Sequence, residues 1–189
     1  DYTGQEVTNF FHPDGTRVVN QPGDRVLQTM QRRWLNHVKG VFYLGDNHIL
    51  SAGIEHQHDY LKSPYRLEQG KASVYTLASY AQDEWSITNR LNLTLGYRFV
   101  HHKEFGQKFT PKISAKYSLG DFNLRATYSY GFKAPTLKEL YQNYIPVIMG
   151  TLKAYYGNEN LKPQSSNYGS ASVEYSNGKF QATVTGYYN

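Results

Sequence analysis

Hydrophobic and polar residues alternate along most of this chain, which is the period expected of β-strands. From Leu91 to Phe99, leucines and aromatic residues occupy the odd positions, with polar or small residues between them. The same alternation recurs over 113–119, 122–132 and 180–184. Each of these segments is therefore predicted to be a strand with one apolar and one polar face.

Extended to the whole chain, this pattern predicts an all-β fold, an antiparallel up-and-down meander of about eight long strands. Several of the strands reach the length of about 9–11 residues that a tilted transmembrane strand requires. The predicted strands lie near residues 34–45, 48–59, 71–87, 91–103, 109–119, 122–132, 165–176 and 179–189.

The connections between these strands are predicted to alternate in length. Short turns are expected at 45–47, 88–90, Gly120-Asp121 and Asn177-Gly178, where Gly and Asn tolerate positive φ. Tight turns at one rim and long loops at the other are typical of outer-membrane barrels. The longer, polar links are expected near 60–70, 104–108 and 133–164, and residues 1–33, with Pro13, Gly15, Pro22 and Gly23, form a loop leading into the first strand.

Aromatic residues cluster towards both ends of the predicted strands, with aliphatic residues between them. Trp85, Phe122 and Phe180 are close to short turns, whereas Tyr97 and Tyr130 are towards the long loops. Two aromatic girdles around an aliphatic band favour a membrane barrel, because amphipathic rings prefer the membrane interface. A soluble up-and-down barrel or sandwich also alternates and is the structural alternative.

Composition narrows the classes of function. The chain has 189 residues and no cysteine, which excludes disulfides and cysteine-based metal sites. The net charge is +5, but the lysines and arginines are scattered singly, so nucleic-acid binding is not expected. Asp83 and Glu84 point to opposite faces of one predicted strand, and no catalytic motif occurs, so we expect no enzyme and no cofactor.

Three segments resemble motifs of the TonB-dependent outer-membrane receptors. Residues 79–103 resemble a hairpin of their barrel. The segment Gly131-Phe132-Lys133-Ala134-Pro135 resembles a Phe-Arg-Ala-Pro box, with Lys133 in place of arginine. The segment Gly157-Asn158-Glu159-Asn160-Leu161-Lys162-Pro163 contains a resemblance to an Asn-Pro-Asn-Leu box, with Glu159 in place of proline. The resemblance covers about 71–189 by motif and 1–70 by pattern only.

This resemblance implies that residues 1–189 are part of a 22-stranded outer-membrane barrel, with 133–164 as a long extracellular loop. It implies uptake of a scarce nutrient, foremost a ferric siderophore or another iron complex, with cobalamin and haem as further substrates. Outer-membrane lipid and the TonB complex, acting through a plug domain not found in this sequence, are the implied partners. A fragment of such a wall is expected to self-associate through its edge strands or to close into a small barrel. A non-transporting barrel or a β-sheet adhesin or scaffold protein is the alternative.

Ligand-binding residues are expected in the long loop, because binding residues concentrate on loops. Aromatic rings and amides suit a large, partly flat ligand, and this loop supplies Tyr141, Asn143, Tyr144, Tyr155 and Tyr156. The interval from Thr136 to Gly157 contains no histidine, which weakens a haem hypothesis.

Four histidines near the predicted long-loop rim form a second candidate site, for a metal or haem. They are His56 and His58 on the second strand, and His101 and His102 on the fourth. Solvated rim histidines are the alternative interpretation.

Overall fold

The computed structural model describes residues 2–3, 8–11, 16–145, 147–148 and 151–189. Antiparallel β-structure predominates in the described parts of the chain, which confirms the predicted all-β class. The parts of the predicted loops at 1, 4–7, 12–15, 146 and 149–150, with Pro13 and Gly15, lie outside the described residues. The elements are β1 Tyr2–Thr3, β2 Thr8–Phe11, β3 Arg17–Asn20, β4 Arg25–Val26, β5 Met30–Leu44, β6 His48–Lys62, β7 Lys71–Ser86, β8 Leu91–His102, β9 Gly106–Leu119, β10 Phe122–Lys133, α1 Leu137–Tyr141, β11 Asn143–Tyr144, β12 Val147–Ile148, β13 Thr151–Leu152, β14 Tyr155–Tyr156, β15 Gln164–Ser176 and β16 Gln181–Tyr188.

Eight long strands form one sheet in the order β16-β15-β10-β9-β8-β7-β6-β5. Each strand pairs with the long strand that precedes it in sequence, so the predicted up-and-down meander is confirmed. The strand bounds agree with the prediction within a few residues. Gly120 and Gly178 adopt φ values of 56° and 80°, as their predicted tight turns require.

The predicted long link near 104–108 is wrong. Only residues 103–105 separate β8 from β9, and His102 pairs directly with Gly106. Gly106 has a φ of 66°, and the backbone N–H of Glu104 donates to His102 Nδ1 at 3.2 Å. These features close a tight turn, and the alternation of short and long connections fails at this point.

The segment 1–33 contains more regular structure than a loop. Short antiparallel pairs join β1 to β4 and β2 to β3, and β5 begins at Met30. Strands of two to four residues are too short to give a periodic sequence signal, so the pattern could not reveal them.

The strand register sorts side chains onto two faces. One row of paired residues, Leu93, Ala115, Ala126 and Ala171, crosses four strands on what we call the apolar face. The neighbouring row, Thr94, Ser114, Thr127 and Ser170, lies on the opposite, polar face, where the Ser114 and Thr127 hydroxyls are 2.8 Å apart. This division follows the alternation of the sequence.

An ion-paired network lies on the polar face. Arg98 donates to Glu55 Oε1 at 2.7 Å, reaching across β7 to β6. Beside it, the Tyr80 hydroxyl is 2.7 Å from His37 Nε2 and reaches across β6 to β5. It passes over Gly53, where a Cβ would lie 2.6 Å from the Tyr80 hydroxyl oxygen.

One carboxylate interrupts the apolar face. Asp83 pairs with Leu95, whereas Glu84 pairs with Thr94 on the polar face, as alternation predicts. Asp83 Oδ2 lies 2.8 Å from His48 Nδ1, and the His48 ring stacks on Trp85 with 5.3 Å between ring centroids. The imidazole and the indole thus shield the carboxylate close to the short turn between β5 and β6.

The chain divides into two compact units. The first unit comprises 1–35, 57–75 and 134–162, and the second comprises 36–56, 76–133 and 163–189. Over the described residues, no helix is both long and hydrophobic enough to traverse a bilayer.

Candidate functional site

The first unit is organised around a short helix, α1, that begins after Pro135. Thr136 caps it: the Glu139 backbone N–H donates to Thr136 Oγ1 at 3.3 Å, and the Thr136 backbone N–H donates to Glu139 Oε2 at 2.7 Å. This reciprocal capping box satisfies N–H groups that a helix start leaves unpaired. Threonine is a favoured N-cap residue, so the local sequence accounts for the start of α1.

A small hydrophobic core fastens α1 within the first unit. Leu137 packs with Leu61, Leu67 and Val74, which come from the distal part of β6, the following link and the start of β7. Tyr141 packs against this cluster. Its aromatic ring therefore helps to position the loop, in addition to the ligand-binding role expected from sequence.

The segment 157–163, which resembles one of the family motifs, meets the end of α1 through backbone hydrogen bonds. The Gly157 N–H donates to the Gln142 carbonyl, and the Asn158 N–H donates to the Glu139 carbonyl at 2.9 Å. The Asn158 side chain accepts from the Asn160 N–H at 2.9 Å, which turns the chain towards β15. The motif from 157 to 163 thus anchors the long loop to the end of α1.

An aromatic and cationic stack is the main chemical feature of this unit. Tyr144 of β11 pairs with Tyr155 of β14, and their rings stack with centroids 5.1 Å apart and planes 12° apart. The guanidinium carbon of Arg66 lies 5.0 Å from the Tyr144 ring centroid. The Asn143 N–H donates to the Arg66 carbonyl at 2.7 Å, which holds the two segments together.

The accessibility of these side chains defines the surface open to a ligand. Tyr155 and Tyr156 are exposed, at 41% and 67%, whereas Asn143, Tyr144 and Arg66 are half-buried. Four of the five residues expected from sequence therefore lie together on β11 and β14. Arg66 was not expected, because a lone arginine in a polar link gives no sequence signal for a partner so distant along the chain.

The four rim histidines divide between the two faces. His101 pairs with Leu77 and His102 pairs with Thr76, so these neighbours point to opposite sides. His102 is buried, and its ring lies 4.9 Å from that of Phe105. His56 and His58 occupy exposed, even-numbered positions of β6. Among the residues that the structure describes, no three side chains of His, Cys, Asp or Glu come together as metal ligands.

A family model described as TonB dependent receptor-like, beta-barrel, matches residues 1–189. An iron-regulated outer membrane virulence protein of Vibrio cholerae is 31% identical over 150 residues, which are 75% of this chain and 22% of that protein. The ferrienterobactin receptor of Escherichia coli K12 is 29% identical over 136 residues, which are 68% of this chain and 17% of that receptor.

Solved structures give the same fold. The siderophore receptor PirA from Pseudomonas aeruginosa superimposes with a TM-score of 0.77 at 24% identity, over 83% of this chain and 31% of that one. The chain spans about a fifth of the length of the curated relatives described above, 22% and 17% respectively.

Proposed function

Because this chain belongs to the TonB-dependent receptor family, as part of its outer-membrane β-barrel, we propose that it contributes to the uptake of a ferric siderophore. The relatives named as iron-regulated and ferrienterobactin receptors support an iron complex as the substrate class. In the intact receptor, energy for import comes from the TonB complex acting through a plug domain. This chain forms part of the barrel wall and one external loop, residues 133–164.

The stack of Arg66, Tyr144 and Tyr155 is the single observation that carries the ligand assignment. Stacked phenol rings present flat, partly polar surfaces, and an arginine over an aromatic face supplies positive charge in a fixed position. Iron(III) held by anionic oxygen groups on aromatic rings gives a flat-sided, negatively charged complex. The exposed rings of Tyr155 and Tyr156 are the accessible part of this surface.

The test is a titration of the purified intact receptor with a ferric catecholate siderophore, made on single variants. We expect Arg66→Ala and Tyr155→Ala each to weaken binding about tenfold, since each removes a charge-assisted or stacking contact of about 1–2 kcal/mol. Tyr43→Ala and Arg90→Ala are the matched controls, because both residues are exposed beside short turns. These controls should bind like the unaltered receptor.

Substitutions of the rim histidines test the alternative binding site. We expect His56→Ala and His101→Ala to leave the affinity unchanged, and Tyr144→Ala to weaken it. Loss of binding in the histidine variants, with binding retained in the tyrosine and arginine variants, would move the site to the rim histidines and favour haem or a metal complex. Failure of every iron complex to bind, in a receptor that folds, would favour an adhesin or scaffold role.

A further inference from the structure

A basic hollow of about 700 Å³ lies at the ends of β5 and β6 in the first unit. It is distinct from the stack of Arg66, Tyr144 and Tyr155. Its lining combines cations with large aromatic rings, and we define the basic hollow by its residues, Met30, Arg32, Arg33, Trp34, His58, Tyr60 and Lys62.

Most of its positive charge is not neutralised. Arg33 is the exception, because its Nε donates to Asp59 Oδ1 at 2.7 Å. Arg32, His58 and Lys62 are exposed, and within the described parts of the chain they make no hydrogen bond, ion pair or ring contact. The hollow is therefore lined by two charged groups, those of Arg32 and Lys62, and by the His58 imidazole, none of which has an acidic partner among the described residues.

Strand alternation places this hollow on the side of the wall that lipid covers. In β6, His58, Tyr60 and Lys62 occupy even positions, on the same strand face as Leu50 and Ile54 earlier in the strand. Trp34 is 68% exposed. Tryptophan and tyrosine favour the headgroup level of a membrane, where an apolar ring edge and a polar group are both satisfied.

We propose that the basic hollow binds the phosphate of a lipid headgroup at the outer rim of the barrel. The Arg32 guanidinium suits two phosphate oxygens at once, Lys62 adds a second cation, and a His58 ring nitrogen can donate a hydrogen bond. The Trp34 and Tyr60 rings in the same lining offer an apolar surface to the acyl chains of the same molecule. This combination of cations and aromatic rings favours a lipid over a free phosphate ion.

The experiment uses the purified intact receptor and the double variant Arg32→Ala/Lys62→Ala. The probes are lipid A, a diphosphorylated glucosamine lipid, and its dephosphorylated form, and native mass spectrometry measures how much lipid the receptor retains. We expect the double variant to bind lipid A at least about tenfold more weakly, and to bind the dephosphorylated lipid as the unaltered receptor does.

Matched controls separate this effect from misfolding. The variant Arg90→Ala/Lys179→Ala removes one exposed arginine and one exposed lysine beside short turns and should retain lipid A. The exchange Arg32→Lys/Lys62→Arg keeps both charges and should largely restore binding. The siderophore affinity of the first double variant should be unchanged, so a failure here is distinguishable from a failure of the proposed function.

Three results would overturn the proposal. One is equal retention of lipid A by the double variant and the unaltered receptor. Another is an equal loss of lipid A and its dephosphorylated form, which would indicate apolar binding only. The third is complete displacement of lipid A by inorganic phosphate at millimolar concentration, which would assign the hollow to a free anion.

Discussion

Gly157 occupies a position that leaves no room for a side chain. A Cβ there would lie 2.5 Å from the Leu140 carbonyl oxygen and 2.7 Å from the Gln142 nitrogen, both of which are backbone atoms. We expect Gly157→Ala to destabilise the first unit by about 1–3 kcal/mol, because rigid backbone must move. Faster amide hydrogen exchange at Gln142 and Asn143, together with weaker siderophore binding, would be the measured result.

Gly169 is the matched control for that substitution, because it lies in β15 with nothing within 4 Å of an added Cβ. Gly169→Ala should leave both measurements unchanged. Equal effects of the two substitutions would show that the close approach of Gly157 to Leu140 does not hold the loop.

Leu124 and Arg125 are neighbours that test the assignment of the two faces. Leu124 pairs with Tyr117 and Val173 on the apolar face, whereas Arg125 lies on the polar face, 3.6 Å from Glu174. We expect Leu124→Arg to cost about 2–4 kcal/mol of barrel stability in lipid, as a charge at the bilayer midplane does. Arg125→Leu should cost much less. Denaturant titration of the intact receptor in vesicles measures both, and equal costs would contradict a membrane-facing apolar face.

The residues of the proposed site differ in how far the sequence points to them. Asn143, Tyr144, Tyr155 and Tyr156 could be proposed from sequence because aromatics and amides concentrate in one loop. Arg66 was missed because its contact with Tyr144 depends on tertiary structure alone.

At the scale of elements, the capping box explains why so short a helix forms. Thr136→Ala removes the acceptor for the Glu139 N–H and should cost about 1 kcal/mol. Hydrogen exchange at Glu139 in the intact receptor would report this loss as a rate increase. Thr183→Ala, at an exposed position of β16, is the control and should change the free energy of unfolding by less than about 0.5 kcal/mol. A cap that contributes nothing would leave the exchange rate at Glu139 unchanged.

The long strands were predictable because a period of two recurs along the chain, most clearly over 91–99 and 122–132. The short strands of 1–33 and of the long loop were not, since two to four residues cannot establish a period. The link near 104–108 was predicted too long because Gly106 was not recognised as a turn residue. From Gly106 onward the segment pairs with β8 as a strand, despite its polar composition.

At the scale of the whole molecule, β16 and β5 are the outer strands of the eight-stranded sheet, and each has one edge with no paired strand among the described residues. Every residue of β16 is exposed, and β5 is exposed at nearly every position. We expect residues 1–189, produced alone, to give a β-sheet circular dichroism spectrum and to associate through these edges. Light scattering measures the association. A stable monomer with an open sheet, or a largely helical spectrum, would contradict this expectation.

The family could be predicted because three short motifs occur in the right order on the right elements. The physical role of these motifs could not be predicted, because it depends on contacts between segments far apart in sequence. The hydrogen bonds from Gly157 and Asn158 to the end of α1 show that one motif serves to anchor a loop.

The contact between Tyr80 and His37 has a consequence for how three neighbouring strands are held together. Since Gly53 has no side chain, the Tyr80 phenol can cross β6 and reach His37 on β5. Any larger residue at position 53 would displace the Tyr80 ring and separate its hydroxyl from His37 Nε2. The absence of one methyl group on β6 therefore permits a side-chain tie between the two strands that flank it.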